Sequence, residues 1–214
     1  LFACLLENFS RPRTNGIIAI TIKENDELLQ AILTDGSNDI MMATRSGRAI
    51  RFSESKLRII GRTGAGVRGI TLDDENDAVV GFIGVKDNMD GDILVLSENG
   101  FGKRSSVDEY RITNRGGKGV KTIKITEKTG TLIAIDKISD DNDLMIINKS
   151  GITIRISASE IKVSGRATQG VKLINLAKKN DSIASVAVVP HEEEASEIEQ
   201  TDVDIENNSS EATE

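Results

Sequence analysis

The sequence predicts an all-β protein, a propeller-like disc of four-stranded blades with a repeat length of about 50 residues. Three observations predict it: a turn motif recurs at a fixed spacing, a hairpin pattern recurs at the same phase, and the composition is rich in Ile, Val, Leu and Gly. Such a composition, with 19 Gly and only 2 Pro, favours strands joined by tight turns. A run of separate small barrels is the alternative architecture.

The turn motif, called here the repeated turn, consists of Arg, three small or polar residues, Gly, Val, a cation, any residue and Ile. Its copies occupy residues 61–70, 114–123 and 165–174. The glycine before the valine recurs after 53 residues and again after 51. A weaker copy at 14–20 follows Arg11 and Arg13. A fixed period of this length indicates repeat units that stack on one another to bury a continuous core.

Each unit is also expected to supply a hairpin, a short Ser-rich link and a further strand. Hairpins are predicted to begin at Asp39, Asp92 and Asp143. Ser-Gly or Asn-Gly at each tip supplies the positive φ that the reversal needs. A further strand is predicted at 78–85, after the acidic loop 73–77.

These elements divide the chain into blades at 35–86, 87–137 and 138–190. Residues 1–34 are expected to be the end of a partial blade, with strands at 17–22 and 28–33. The lack of an initial Met predicts that the chain is a piece of a longer protein. An incomplete set of blades is expected to form an open arc with exposed sheet edges.

Charge is distributed unevenly along the chain. Of the 34 acidic residues, 10 lie in 191–214, which has no Lys or Arg, so residues 1–190 carry 24 acidic against 27 basic side chains. The final segment is poor in aromatic residues and rich in Glu, Asp, Ser and Asn, which predicts a disordered acidic tail. A mildly basic body with an acidic arm fits a protein that binds a polyanion, although a solubilising tail is an alternative.

The sequence offers little for catalysis, metal binding or membrane insertion. The lone Cys4 excludes a disulfide framework and favours a reducing compartment, and neither Cys4 nor His191 has partners for a triad or a metal site. Tyr110 occupies the place of Leu57 and Ile161 in the sister units, which predicts a structural role. No stretch is long and apolar enough for a membrane span.

Cations recur at matching places in the units. An Arg opens each repeated turn, a cation follows its valine, and a further Arg lies in register in each hairpin. Repetition arranges these charges as a stripe suited to a duplex backbone. The residues predicted to contact DNA are Arg11, Arg13, Arg45, Arg48, Arg51, Arg62, Arg68, Lys103, Arg104, Arg115, Lys118, Lys121, Arg155, Arg166 and Lys172. Ordinary solvated surface charges are the alternative, and 3% aromatic residues disfavour stacking on single strands.

Several motifs in this order resemble the C-terminal domain of the DNA gyrase A protein. The motifs lie at residues 9–20, 47–51, 61–70 and 100–104, followed by Tyr110, and the resemblance covers residues 5–190. It implies a six-bladed β-pinwheel, a propeller-like disc whose blades exchange strands and whose basic rim wraps duplex DNA. The family's Gln-Arg-Arg-Gly-Gly-Lys-Gly motif is expected upstream of Leu1, and residues 115–119 copy only its centre.

The resemblance also implies the setting in which the chain works. The parent enzyme is an ATP-dependent type II topoisomerase that uses ATP and Mg, whereas this chain is expected to carry no cofactor, no cleaving tyrosine and no ATPase site. The implied partners are duplex DNA, the gyrase B protein and a second gyrase A protein, the last two through a missing N-terminal part. The implied location is the bacterial cytoplasm, near the nucleoid. The alternatives are topoisomerase IV and a propeller used as a protein-interaction scaffold.

Overall fold

The computed structural model describes residues 1–86, 91–176 and 181–191, and in this part the chain is all-β, as predicted. The strands are β1 (Asp39–Thr44), β2 (Arg48–Ser53), β3 (Val79–Val85), β4 (Asp92–Ser97), β5 (Phe101–Ser105), β6 (Val120–Lys121), β7 (Leu132–Ile138), β8 (Asn142–Asn148), β9 (Thr153–Ser157), β10 (Val171–Lys172) and β11 (Ile183–Pro190). Short 3-10 helices span Leu6–Phe9, Glu54–Lys56, Val107–Glu109 and Ala158–Glu160. No helix in these ranges is long and apolar enough to cross a membrane. The predicted disorder of the acidic tail concerns residues outside the described part, apart from His191.

The strands form three antiparallel sheets, with the orders β3-β1-β2-β6, β10-β5-β4-β7 and β11-β8-β9. Each sheet is centred on one of the three predicted hairpins, β1–β2, β4–β5 and β8–β9, and the strand predicted at 78–85 is β3. The strands of the first two hairpins are almost wholly buried. Burial on both faces explains why the first strand of each hairpin, β1 or β4, is an apolar run and not an alternating one. The hairpins and the all-β class are therefore confirmed.

The repeated turn supplies a strand to the preceding sheet and not to its own. Val120 pairs with Ala49 in the first sheet, and Val171 pairs with Gly102 in the second. In both four-stranded sheets three strands thus come from one unit and the fourth from the next. The strand exchange implied by the resemblance is present, and in the described residues the third sheet has no fourth strand beside β9.

The first repeated turn makes the same pairing with the beginning of the chain. The amide of Val67 donates to the carbonyl of Leu1 at 2.7 Å, and the amino group of Leu1 donates back to the carbonyl of Val67 at 3.0 Å. Leu1 therefore stands where Ala49 and Gly102 stand in the later units. The pairing of a repeated turn with the residues before its own unit therefore occurs three times, the first time with Leu1.

The hydrophobic core lies between successive sheets. One buried cluster joins residues of the first two units, including Met41, Ile93 and Tyr110, and a second joins residues of the last two, including Leu96 and Ile146. Tyr110 is 1% exposed, and its hydroxyl lies 2.6 Å from Thr122 Oγ1. Burial raises the pKa of its phenol. The structural role predicted for Tyr110 is confirmed.

The strands predicted at 17–22 and 28–33 are wrong. Neither segment is a strand in the structure, because no hairpin strand lies beside it to complete a backbone ladder. Ile18 is 72% exposed and Leu33 is 80% exposed. Ile32, by contrast, packs against a core cluster of the first sheet. An alternating pattern without a pairing partner gives extended chain and not sheet.

The glycine before the valine is required by strand exchange. Gly119 has φ +70°, and a Cβ there would overlap with the carbonyl of Ala49 on the facing strand. Gly170 has φ +77°, and its Cβ would lie 2.5 Å from the carbonyl oxygen of Gly102. Both the backbone conformation and the close approach of two main chains exclude a side chain.

We expect Gly119→Ala to lower the free energy of unfolding by about 3 kcal/mol, since it adds backbone strain and a clash with the facing strand. Gly151→Ala is the matched control, because Gly151 also has a positive φ, +86°, but no atom lies within 4 Å of the added Cβ. The control should lose about 1 kcal/mol. Urea unfolding followed by circular dichroism measures both. Equal losses would show that the facing strand can move away.

Candidate nucleic-acid interface

The repeated turns lie along one edge of the sheets. Strands β6 and β10 each close one end of a four-stranded sheet, and β3 and β7 close the other. Strands β3 and β7 also pack against each other, and a Cβ at Gly81 would lie 3.2 Å from Ile135 Cγ2. Neighbouring sheets therefore approach most closely at the β3 and β7 edge. The repeated turns occupy the opposite edge, which is called here the rim.

The arginine that opens each repeated turn bonds to the preceding turn. Arg115 Nη1 donates to the carbonyl of Arg68 at 3.1 Å, and Arg166 Nη1 donates to the carbonyl of Lys121 at 2.8 Å. Arg62 Nη1 makes the corresponding bond, 2.5 Å long, to the carbonyl of Ile18. Ile18 thus stands in register with Arg68 and Lys121. The weaker copy at 14–20 occupies the place of a repeated turn, as its sequence suggested.

The cations that follow the valines are exposed. Arg68, Lys121 and Lys172 recur at one position of the repeated turn, and each has an exposed side chain. Pairing fixes the backbone of Lys121 and Lys172, which belong to the edge strands β6 and β10. Lys118, inside the second turn, is also exposed. A row of exposed cations at fixed places along a rim is suited to contact with successive phosphates.

The hairpin arginines of the first two units are buried at the junctions between blades. Arg51 is 4% exposed, and its Nε lies 2.8 Å from Asp39 Oδ2 while its Nη1 donates to the carbonyl of Val107 in the next unit. Arg104 pairs with Asp140 at 2.6 Å, and its Nε donates to the carbonyl of Ile161, again in the next unit. These arginines join blades, so the prediction that they contact DNA loses its basis.

Lys103 is buried as well. It is 0% exposed, and its ammonium group donates to the carbonyl of Gly165 at 2.6 Å and to Ser105 Oγ at 3.2 Å. Burial lowers the pKa of Lys103 to about 8. The first unit carries Ile50 at the same position of the repeat. Lys103 is therefore a buried polar support for the third repeated turn, and its predicted contact with DNA loses its basis too.

Arg155, the third hairpin arginine, makes the same ion pair as Arg51, but here the carboxylate has a second partner. Its Nε lies 2.6 Å from Asp143 Oδ2, and His191 Nδ1 lies 2.7 Å from the other oxygen of the same carboxylate. The hydrogen bond from His191, followed by that from Arg155, lowers the pKa of Asp143. Sequence reasoning missed this partner of His191, because Asp143 is 48 residues away along the chain.

The remaining predicted contacts lie outside the repeated turns. Arg11 and Arg13 are exposed in the first segment. Arg45 is exposed at the first hairpin tip, and Arg48 pairs with Asp73 at 2.6 Å. Arg48 pairs with Lys121 across β2 and β6, so it lies beside the rim, and Arg11 and Arg13 directly precede the weaker turn copy at 14–20.

Glu109 belongs to the rim although no sequence motif pointed to it. Its Oε2 accepts a 2.6 Å hydrogen bond from the amide of Arg166, which lies 57 residues later in the third repeated turn. The contact joins the 3-10 helix of one unit to the turn of the next. A separation of this length leaves no signal along the chain.

Comparison with known families and relatives covers nearly the whole described chain. The sequence profile described as "DNA gyrase C-terminal domain, beta-propeller" matches residues 4–35, 38–86, 91–139 and 142–190. The DNA gyrase A protein of Staphylococcus epidermidis is 46% identical over 189 residues, which are 88% of this chain and 21% of the relative. The DNA gyrase A protein of Staphylococcus aureus is 46% identical over 198 residues, 92% of this chain and 22% of the relative.

Solved structures show the same fold. The structure of a DNA gyrase A C-terminal domain superposes with a TM-score of 0.72 at 26% identity, covering 81% of this chain and 58% of that one. The C-terminal domain of a DNA topoisomerase IV superposes with a TM-score of 0.79 at 24% identity, covering 86% and 57%. The chain spans about a fifth of the curated relatives, 21% of the first.

We expect Arg51→Met to lower the free energy of unfolding by about 3 kcal/mol, because it leaves the carboxylate of Asp39 without its arginine at a buried junction. Arg155→Met is the in-register control. Arg155 is 38% exposed, and Asp143 keeps His191 as a partner, so the loss should be smaller. Chemical unfolding of both variants measures the difference, and an equal loss would contradict the junction role of Arg51.

Lys103 makes stability depend on pH. With its pKa near 8 in the folded chain against 10.5 when unfolded, the unfolded state binds more protons between these values, so stability should rise with pH through this window. Below about pH 8, burial of the charged ammonium group lowers the free energy of unfolding by its full amount. Relative to Lys103→Met, the free energy of unfolding should rise by about 3 kcal/mol between pH 8 and 10.5. A difference that is constant with pH would contradict this.

Proposed function

Because the chain belongs to the DNA gyrase C-terminal domain family, we propose that it binds duplex DNA along the rim of repeated turns and bends it around the arc of blades. The observation that carries this proposal is the row of exposed cations Arg68, Lys121 and Lys172, one in each repeated turn. Lys121 and Lys172 lie on the end strands of two successive sheets, and Arg68 lies in the turn that pairs with Leu1. The exposed Lys118 and Arg115 and the partly exposed Arg62 and Arg166 add charge beside this row.

The geometry supports electrostatic contact with the phosphate backbone of DNA and not recognition of a base sequence. Each cation neutralises a phosphate and releases condensed counterions, which favours binding whatever the base sequence. The blades are joined by backbone pairing and by buried arginines, so the cations keep a fixed spacing around a curve. A duplex that follows the row must bend, and the cost of bending is offset by the additional phosphate contacts.

In the whole enzyme this bending is proposed to support ATP-dependent negative supercoiling and to set its direction. The chain spans about a fifth of its curated relatives, so ATP hydrolysis, strand cleavage and contacts with the gyrase B protein or a second gyrase A protein are assigned to other parts of the enzyme. The bacterial cytoplasm, beside the nucleoid, is the proposed location. Arg11, Arg13, Arg45 and Arg48 are retained as further candidates for DNA contact.

A protein-interaction scaffold is the competing function, and topoisomerase IV is the competing parent. The family profile and the relatives at 46% identity favour gyrase, whereas the likeness to topoisomerase IV at 24% identity concerns the fold. A scaffold would gain nothing from cations at one position of every unit. Binding of duplex DNA with a strong salt dependence therefore separates the two functions.

Replacing Arg68, Lys121 and Lys172 together with Gln should weaken duplex binding and reduce the slope of log affinity against log salt. If each cation contacts one phosphate, the slope falls by about 2.7, at about 0.9 for each contact. The control is a triple variant with the same charge change at exposed lysines away from the repeated turns, Lys23, Lys86 and Lys137. Fluorescence anisotropy with a labelled duplex measures both. Equal slopes in the two variants would place DNA elsewhere.

A further inference from the structure

Each unit also exposes a pair of residues between its 3-10 helix and its repeated turn. The pair is a cation followed by an aliphatic residue, and the pairs recur with the spacings of the repeated turn, 53 and 51 residues. They are Arg58–Ile59, Arg111–Ile112 and Lys162–Val163. They lie outside the turn motif, so the predicted DNA contacts do not include them.

The aliphatic members are exposed although their backbone is ordered by pairing. Ile59, Ile112 and Val163 are 57%, 53% and 50% exposed. Ile112 forms a parallel bridge with Arg51 of the preceding unit, and Val163 forms one with Arg104. The same junction recurs at the first pair, where the amide of Ile60 donates to the carbonyl of Ala3 at 3.0 Å. Backbone pairing thus holds each pair in one place while its side chains face solvent.

Each of the first two pairs lies near the repeated turn of the next unit. Arg115 Nε, in the second turn, donates to the carbonyl of Lys56, two residues before Arg58, at 3.4 Å. Glu109, two residues before Arg111, accepts the hydrogen bond from the amide of Arg166 in the third turn. Along β2, Arg48 pairs with Lys121 and Arg51 with Ile112, and along β5, Phe101 pairs with Lys172 and Arg104 with Val163. The second and third pairs therefore lie beside Lys121 and Lys172 on the same sheet edges, three strand residues away.

We propose that these pairs form a second line of duplex contacts, in which the cation binds a phosphate and the aliphatic side chain packs on the neighbouring deoxyribose. The inference rests on the proposed function and adds contacts to the rim. A duplex presents two phosphate strands, so two parallel rows of cations can engage both sides of a groove. Contact with a sugar is apolar and independent of base sequence.

The chemistry of the pairs favours DNA over a protein partner. A protein interface has a continuous apolar centre from which charged residues are depleted. Here each aliphatic residue stands directly beside a cation, and successive aliphatic residues belong to different blades. Apolar side chains that alternate with cations match the alternation of sugar and phosphate in a nucleic-acid backbone.

The cationic members are tested by replacing Arg58, Arg111 and Lys162 together with Gln in the full chain. We expect a loss of duplex affinity of about tenfold or more at low salt and a reduction of the salt slope by up to about 2.7. The Lys23, Lys86 and Lys137 triple variant is again the control with equal charge. A slope equal to that of the control would overturn the proposal.

The aliphatic members are tested by replacing Ile59, Ile112 and Val163 together with Thr, which keeps β-branching and so preserves the backbone preference. Duplex affinity should fall about three- to tenfold with an unchanged salt slope, since an apolar contact releases no counterions. Circular dichroism and thermal unfolding establish that the variant is folded. An unchanged affinity in a folded variant would overturn the sugar contact.

The outcome separates this inference from the proposed function. If the unmodified chain fails to bind duplex DNA, the proposed function fails. If the chain binds and the Arg68, Lys121 and Lys172 variant is weakened, but both pair variants behave as the control, the function stands and the second line of contacts is rejected. The exposed pairs would then be candidates for contact with a protein partner.

Discussion

The backbone pairing between each repeated turn and the preceding hairpin is the constraint on which the rest of the structure depends. Val120 with Ala49, Val171 with Gly102, and Val67 with Leu1 repeat one arrangement along the chain. Each bond contributes about 1 kcal/mol net, but the pairing also fixes where the next unit begins. Because every unit completes the sheet before it, adjacent blades are joined by main chain and cannot slide past one another.

This constraint explains why similar cations have different roles. Arg51 and Arg104 lie where two units meet, so their charge is buried against Asp39 and Asp140 and against carbonyls of the next unit. Of the exposed cations after the valines, Lys121 and Lys172 lie at sheet edges, where the described chain places no further strand beside them. The register of a cation within the repeat thus decides whether it stabilises the arc or remains available for a ligand.

The arginines that open the repeated turns serve both purposes. Arg62, Arg115 and Arg166 each donate to a carbonyl of the preceding turn, and each keeps part or most of its surface exposed. A turn held by its neighbour loses little conformational entropy when a ligand binds. The contacts that hold successive units together therefore also hold the charged rim in place.

Local signals were enough to predict the all-β class, the repeat, the hairpins and the structural role of Tyr110, because spacing, glycine turns and apolar runs can be recognised without knowing what lies opposite. Three features could not be predicted in this way: the fourth strand of a sheet belongs to the next unit, residues 17–33 form no strand, and Arg51, Lys103 and Arg104 are buried. The physical reason is that pairing and burial depend on neighbours in space. His191 meets Asp143 across 48 residues, and no pattern along the chain records that contact.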